Sequence, residues 1–209
     1  MSWHETASLH INDKDASDFF SKMIINISNL FVIASCIIVG LLPILFKFAI
    51  GKEYLEAYNY IPILIVANLC NVLVGLLGAI YIAKKMTKKV ATTTIISAII
   101  NIIVNLIFIK KIGLYAACIS TLVSYSLMII YRYYDINKII KLKLTNRKSL
   151  IYLCCLIILI ITYYYKYIVV SLIISVICVL LYLIQNRKNI IELAQGFFSK
   201  KKQHYEENG

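Results

Sequence analysis

Acidic residues are scarce in this chain and absent from its apolar runs. There are 10 Asp and Glu against 22 Lys and Arg in 209 residues. Glu5, Asp13, Asp15 and Asp18 precede the first apolar run, and Glu53 and Glu56 lie between the first two. Asp135 follows the fourth run, and Glu192, Glu206 and Glu207 follow the last. No carboxylate pair is therefore available within the runs for general acid–base work. Proton- and sodium-coupled carriers usually hold an intramembrane carboxylate; if this chain is a carrier, any coupling acid lies elsewhere or does not exist.

Other chemistry is missing too. The three histidines, His4, His10 and His204, all sit in the terminal segments. His4-Glu5-Thr6-Ala7-Ser8 begins like a zinc-protease helix but has Ser8 where the second histidine must stand, so it makes no metal site. His10 and Asp15 have a spacing found in some acyltransferases, but one such pair in a polar segment is read as chance. Glycine numbers only 7 and forms no phosphate-cradling loop. The expectation is a protein that is not an enzyme and carries no metal or cofactor. Its cysteines, 36, 70, 118, 154, 155 and 178, all lie inside apolar runs and not in exposed loops, so they read as small apolar residues and not as a disulfide framework.

What the chain does contain is apolar length. Hydrophobic residues make up 61% of it, far above a soluble domain. Six runs, at 23–46, 61–83, 91–109, 114–131, 150–165 and 167–184, are near the ~20 residues that cross a bilayer as a helix. The expected fold class is an all-α membrane protein with six transmembrane helices: a four-helix core bundle plus an accessory C-terminal helix pair. The corresponding segments are an N-terminal cytoplasmic piece (1–22), a four-span core (23–131), a basic loop (132–148), two accessory spans (149–184) and a basic tail (185–209). The polar start shows no secretory signal, so the first span acts as its own insertion signal or the chain continues something larger.

The formal charge of +12 does not point to nucleic acid, because the cations sit between runs and not on one face. Alternating the joints from side to side assigns 17 basic residues, Arg132 among them, to one side and 5 to the other. The positive-inside bias puts both termini and the joints at Lys84–Lys89 and Arg132–Lys148 in the cytoplasm. Tyr163, Tyr164, Tyr165 and Tyr167 gather at the opposite interface, where amphipathic rings sit. The joint at Lys166 is so short that the last two spans form an antiparallel pair.

Polar residues inside the runs single out candidates. Pro43 should kink or end the first span, and Lys47 just beyond it can snorkel. The second span opens at Pro62 and carries Asn68 and Asn71, with Gly75 and Gly78 allowing close approach. In the third span Thr94, Ser97, Asn101 and Asn105 share one face. That stripe must face protein or a wet cavity, so it serves either helix–helix hydrogen bonding or a hydrophilic cavity wall. Ala116, Ser120 and Ser124 make a small-residue packing face on the fourth span. The last two spans, nearly all aliphatic and aromatic, read as lipid-facing.

Gly51-Lys52-Glu53-Tyr54 with Tyr60-Ile61-Pro62-Ile63-Leu64, and the run from Ala83-Lys84-Lys85-Met86-Thr87-Lys88-Lys89 into Ile99-Ile100-Asn101-Ile102-Ile103-Val104-Asn105-Leu106, resemble polysaccharide-biosynthesis flippases of the Wzx type, in the multidrug/oligosaccharidyl-lipid/polysaccharide exporter superfamily. Ile112-Gly113-Leu114-Tyr115-Ala116-Ala117 follows in the same sense, and Trp3, Glu5 and Asp18-Phe19-Phe20-Ser21-Lys22 resemble the joint ahead of these spans. The chain departs from the pattern at Lys110 and Lys111, where proline is usual, and at Tyr115, where glycine is usual. The resemblance covers the C-terminal part of such a carrier. It implies export of an undecaprenyl-diphosphate-linked oligosaccharide for O-antigen or capsule across the bacterial plasma membrane, by two bundles rocking about a central cavity. It further implies as partners the bilayer, that substrate, a missing N-terminal half or the polymerase machinery, and no nucleic acid. The cavity candidates under it are Asn68, Asn71, Ser97, Asn101, Asn105 and Lys47. A multidrug exporter of the same superfamily and an inactive or assembly-partner fragment are the alternatives.

Overall fold

The computed structural model describes residues 3–11, 13–48 and 56–187, without the side chains of 3–6 and 47. Those residues form seven helices and no strand: α1 (Trp3–His10), α2 (Ala16–Phe48), α3 (Ala57–Ala83), α4 (Thr87–Ile112), α5 (Tyr115–Asn137), α6 (Arg147–Tyr164) and α7 (Ile168–Gln185). Helices α2 to α7 are each long and apolar enough to cross a membrane. This is an all-α, multi-pass membrane architecture. The expected turn at Gly51-Lys52-Glu53 and the basic tail from residue 188 lie outside the described residues, as do the side chains of Trp3, Glu5 and Lys47.

Helix α4 displays the bilayer's imprint most directly. Ile95, Ile99, Ile102, Ile103, Leu106 and Ile107 on it are each more than half exposed or close to it, a surface that water would not tolerate. Between Lys89 and Lys110 run 20 uncharged residues, about 30 Å of helix, which matches the thickness of the hydrocarbon core.

The helices group as α3, α4 and α5 on one side and α2, α6 and α7 on the other, joined where α2 meets α3. The C-terminal pair is thus not attached to a closed four-helix core. Both its helices pack on α2, which makes its larger contacts with them and not with α3. The reason lies in side-chain size. Ser171, Ser175 and Cys178 form a buried small-residue stripe on α7, and it faces Gly40 of α2 so closely that a Cβ there would sit 2.6 Å from Ser175 Cβ. Cys36 and Cys178 meet in the same seam with sulfurs 3.7 Å apart.

Two apolar cores result. One joins the middle and end of α2 (Val32, Cys36, Val39, Phe46) to Tyr152, Leu156, Leu159 and Tyr163 of α6. The other closes the basic end. Ala7 of α1 and Ile11 just after it, Phe20 and Ile24 of α2, Leu77 and Ile80 of α3, and Ile136 of α5 meet there with Ile140 and Leu142.

Three segment boundaries differ from the sequence reading. The segment 1–22, set apart as an N-terminal piece ahead of the first span, contains α1 and the start of α2. Helix α2 runs through Pro43 to Phe48, since a proline forfeits one hydrogen bond and the packed neighbours hold the helix. The stretch 132–148 is helical to Asn137 and again from Arg147. A turn at 138–140 leads into an irregular pass at 141–146, with Ile140 and Leu142 buried and Lys141 and Lys143 exposed, the period-two alternation of a strand-like pass. It is stitched to α2: Ser17 Oγ donates to the Lys141 carbonyl, and Lys143 N donates to Ser21 Oγ at 2.9 Å.

Two helices end on a lysine in the left-handed region. Lys85 has φ 57° and Lys166 φ 58°. In each case the next residue's N–H reaches back to close the turn, Met86 to the Tyr81 carbonyl at 2.8 Å and Tyr167 to Thr162 at 3.1 Å. Glycine is the usual residue at this position because it has no Cβ to clash. Replacing Lys166 with glycine should stabilise the protein by about 1 kcal/mol, read as a higher denaturation midpoint in detergent micelles; a lower midpoint would show that the lysine side chain contributes more than its backbone costs.

Candidate functional site

The small-residue face on α5 extends further than it first reads. Ala116, Ser120, Ser124, Met128, Arg132 and Ile136 follow at intervals of four, and all six are buried. This ridge lies between α3 and α4 and carries Arg132 into the protein, where it is 2% exposed. Arg132 is therefore not a loop cation. The approach is possible because position 78 is glycine: a Cβ there would stand 2.8 Å from Arg132 Nη1.

Every acceptor found for this guanidinium is a neutral oxygen. Nη1 donates to the Val74 carbonyl of α3 at 2.8 Å. Nε and Nη2 donate to Thr93 Oγ1 of α4 at 3.0 and 2.7 Å, and Nη2 also reaches Thr94 Oγ1 at 3.2 Å and the Val90 carbonyl at 3.3 Å. The acid one turn on, Asp135, is engaged elsewhere. Its Oδ2 accepts from Lys89 Nζ at 2.6 Å and from Tyr81 OH at 2.7 Å. Arg132 and Asp135 together tie α5 to both α3 and α4 at the basic end. A charge buried this way is stabilised only by a full set of hydrogen bonds. Asp135 also corrects the placement of the acids: it lies within helix α5 with its side chain 16% exposed.

The polar stripe of α4 divides. Ser97 Oγ donates to the Ser124 carbonyl at 3.1 Å. Asn101 donates from Nδ2 to Thr121 Oγ1 at 3.2 Å and to Ser124 Oγ at 3.4 Å, and its Oδ1 accepts from Ser120 at 3.4 Å. Both residues bind α4 to α5. Thr94 turns to its own helix and to Arg132. The Asn105 side-chain oxygen is buried with no hydrogen-bond partner among the described residues.

Asn68 and Asn71 behave differently. Both are exposed on α3, one and two turns before Gly75, around whose missing Cβ the space is open. They line a surface groove of about 380 Å³ with Thr121 and Tyr125 of α5. The structure thus brings Asn68 and Asn71 together, turns Ser97 and Asn101 to α5, where Asn101 reaches the groove-lining Thr121, and leaves Asn105 apart; the Lys47 side chain is outside the described residues. Among the described residues no group of three or more His, Cys, Asp or Glu converges as a metal site would require.

At the opposite end, tyrosines lock α3 to α6. Tyr163 is fully buried, stacks on Tyr58 at 4.2 Å and donates to the Tyr58 carbonyl at 2.7 Å. Tyr165 and Tyr167 stay exposed, as interfacial rings do.

Comparison of the chain with protein-family models, with curated proteins and with solved structures finds no match.

The guanidinium clamp is open to a direct test. Arg132→Lys keeps the charge but loses the fork, and Gly78→Val pushes the fork out; each should destabilise by about 2 kcal/mol. Because both act on one contact, the double variant should cost clearly less than the sum. Denaturant unfolding in micelles measures this, and strict additivity would refute the clamp.

Proposed function

We propose that this chain is part of a carrier that moves a lipid-linked oligosaccharide across the bacterial plasma membrane for surface-polysaccharide synthesis, with both termini in the cytoplasm. The observation behind it is the exposed pair Asn68 and Asn71 on a membrane helix, beside Thr121 and Tyr125. Carboxamides facing hydrocarbon are costly, and polar residues at that depth mark substrate paths or partner contacts. Amides and hydroxyls suit sugar hydroxyl groups, and no fixed charge lines this groove to favour an ionic cargo. The resemblance to Wzx-type flippases supports the substrate class, and the lysine asymmetry supports the orientation.

An assembly-partner reading draws on the same groove. It lies open at the edge of the α3–α5 group, so these six helices do not enclose it. Under that reading a second protein or the missing half of the carrier covers Asn68 and Asn71.

Asn68→Leu with Asn71→Leu should stop export in cells that depend on this chain for surface polysaccharide. The chain's level in the membrane should not change, and lipid-linked intermediate should accumulate on the inner leaflet. Normal surface polysaccharide in that variant would overturn the carrier reading. Unchanged polysaccharide with altered drug tolerance would point to the multidrug alternative. Asn101→Ala should act mainly by loosening α4 from α5, seen as a lower denaturation midpoint and not as a selective export defect.

A further inference from the structure

A second groove, of about 420 Å³, runs between α4 and α5 on the outer side of that hairpin. Its mouth is at the basic end, where Lys88, Lys89, Thr92 and Tyr131 stand. Its walls below are mainly apolar, from Ile96, Ile100, Leu127 and Met128, and the polar groups among them are engaged, Thr93 by Arg132 and Ser97 by the Ser124 carbonyl. From Lys88 to Ile100 is about 18 Å along the helix, close to the ~15 Å depth of one bilayer leaflet. A cationic, hydroxyl-bearing mouth above an apolar slot one leaflet deep is the shape of one phospholipid. A long polyprenyl chain would overrun it.

We infer that this groove holds an anionic phospholipid, with its phosphate at Lys88, Lys89 and Thr92 and one acyl chain along Ile96, Ile100 and Leu127. The charges at the mouth argue for an anionic lipid over a zwitterionic one. Lys88 is exposed and makes no ion pair or hydrogen bond among the described residues. Lys84 and Lys85 precede it in the adjoining turn. Lys89 is held by Asp135 at 2.6 Å, so a phosphate at the mouth competes with that carboxylate. Lipid occupancy is thereby linked to the contact that ties α4 to α5 beside the buried Arg132. This inference needs only the membrane fold and stands apart from the cargo reading above.

The test uses the full chain with Trp3→Phe, to remove its own tryptophan, and Leu127→Trp as a reporter in the groove. The protein is reconstituted in vesicles of phosphatidylcholine containing brominated phosphatidylglycerol or brominated phosphatidylcholine. Half-quenching should need about fivefold less of the anionic lipid, given the attraction of a membrane phosphate to each added lysine. Ile103→Trp, on the lipid-facing side of α4, should show no preference. Lys88→Gln alone should weaken the preference, and Lys88→Gln with Lys89→Gln should abolish it. Equal quenching by the two lipids at position 127 overturns the inference. So does a preference that survives the double lysine variant, or displacement by millimolar inorganic phosphate or by a stoichiometric polyprenyl phosphate. Because Lys88 is exposed and supports no packing, its single variant reports even where Lys89→Gln disturbs the fold.

Discussion

A guanidinium with no carboxylate partner among the described residues fixes the arrangement of half of this molecule. Burial shields Arg132 from solvent, and Asp135 is committed to Lys89 and Tyr81. Its charge must be met by the Val74 and Val90 carbonyls and by Thr93 and Thr94, which lie on two different helices. Reaching those oxygens together holds α3, α4 and α5 close to one another at that end. The requirement explains Gly78, the threonine pair on α4, and the narrow ridge of Ala116, Ser120 and Ser124 that lets α5 sit deep between its neighbours. A buried cation of this kind adds little net stability but penalises misplacement heavily, so it acts on specificity of packing more than on its strength.

The remainder is held by size and shape. Helix α7 approaches α2 over serines and a glycine, and α6 is secured by tyrosines at one end and by apolar packing along its length. The basic end is closed by α1 and by the pass at 138–146, whose alternating isoleucine, lysine and leucine side chains cover the ends of α2, α3 and α5. The polar surface of α3 stays open beside this closed end. A rigid end and an exposed polar face suit an element that works against a counterpart.

Six helices could be read from apolar length alone, because span-length runs have few other uses. The packing could not, for reasons visible in particular residues. Arg132 was assigned to a loop because segmentation by hydropathy stops at the first charge. Continuing the four-residue series from Ala116 through Met128 would have placed it on the buried ridge. The last two spans looked lipid-facing by content, while the phase of Ser171, Ser175 and Cys178 marks a packing seam. The asparagine stripe of α4 was legible as a stripe, but nothing in its spacing says that Asn101 pairs with Thr121 and Ser124. Nor does spacing show that Asn68 and Asn71 remain uncovered. Partner choice depends on which helix arrives opposite, and that is a property of the assembled bundle.

Helix α2 precedes the other five described spans, yet its larger interfaces are with α6 and α7, whose residues lie more than a hundred positions later. Contacts this distant in sequence form late, and during synthesis the α2 face bearing Cys36 and Gly40 waits in the bilayer while four further helices are inserted. Its N-terminal part, by contrast, is sealed when the pass at 138–146 arrives. Assembly of these six helices is therefore completed on α2 by segments far from it in sequence. Its most exposed stage is the interval before the final hairpin, when quality-control proteases of the membrane would find a glycine-bearing seam with no occupant.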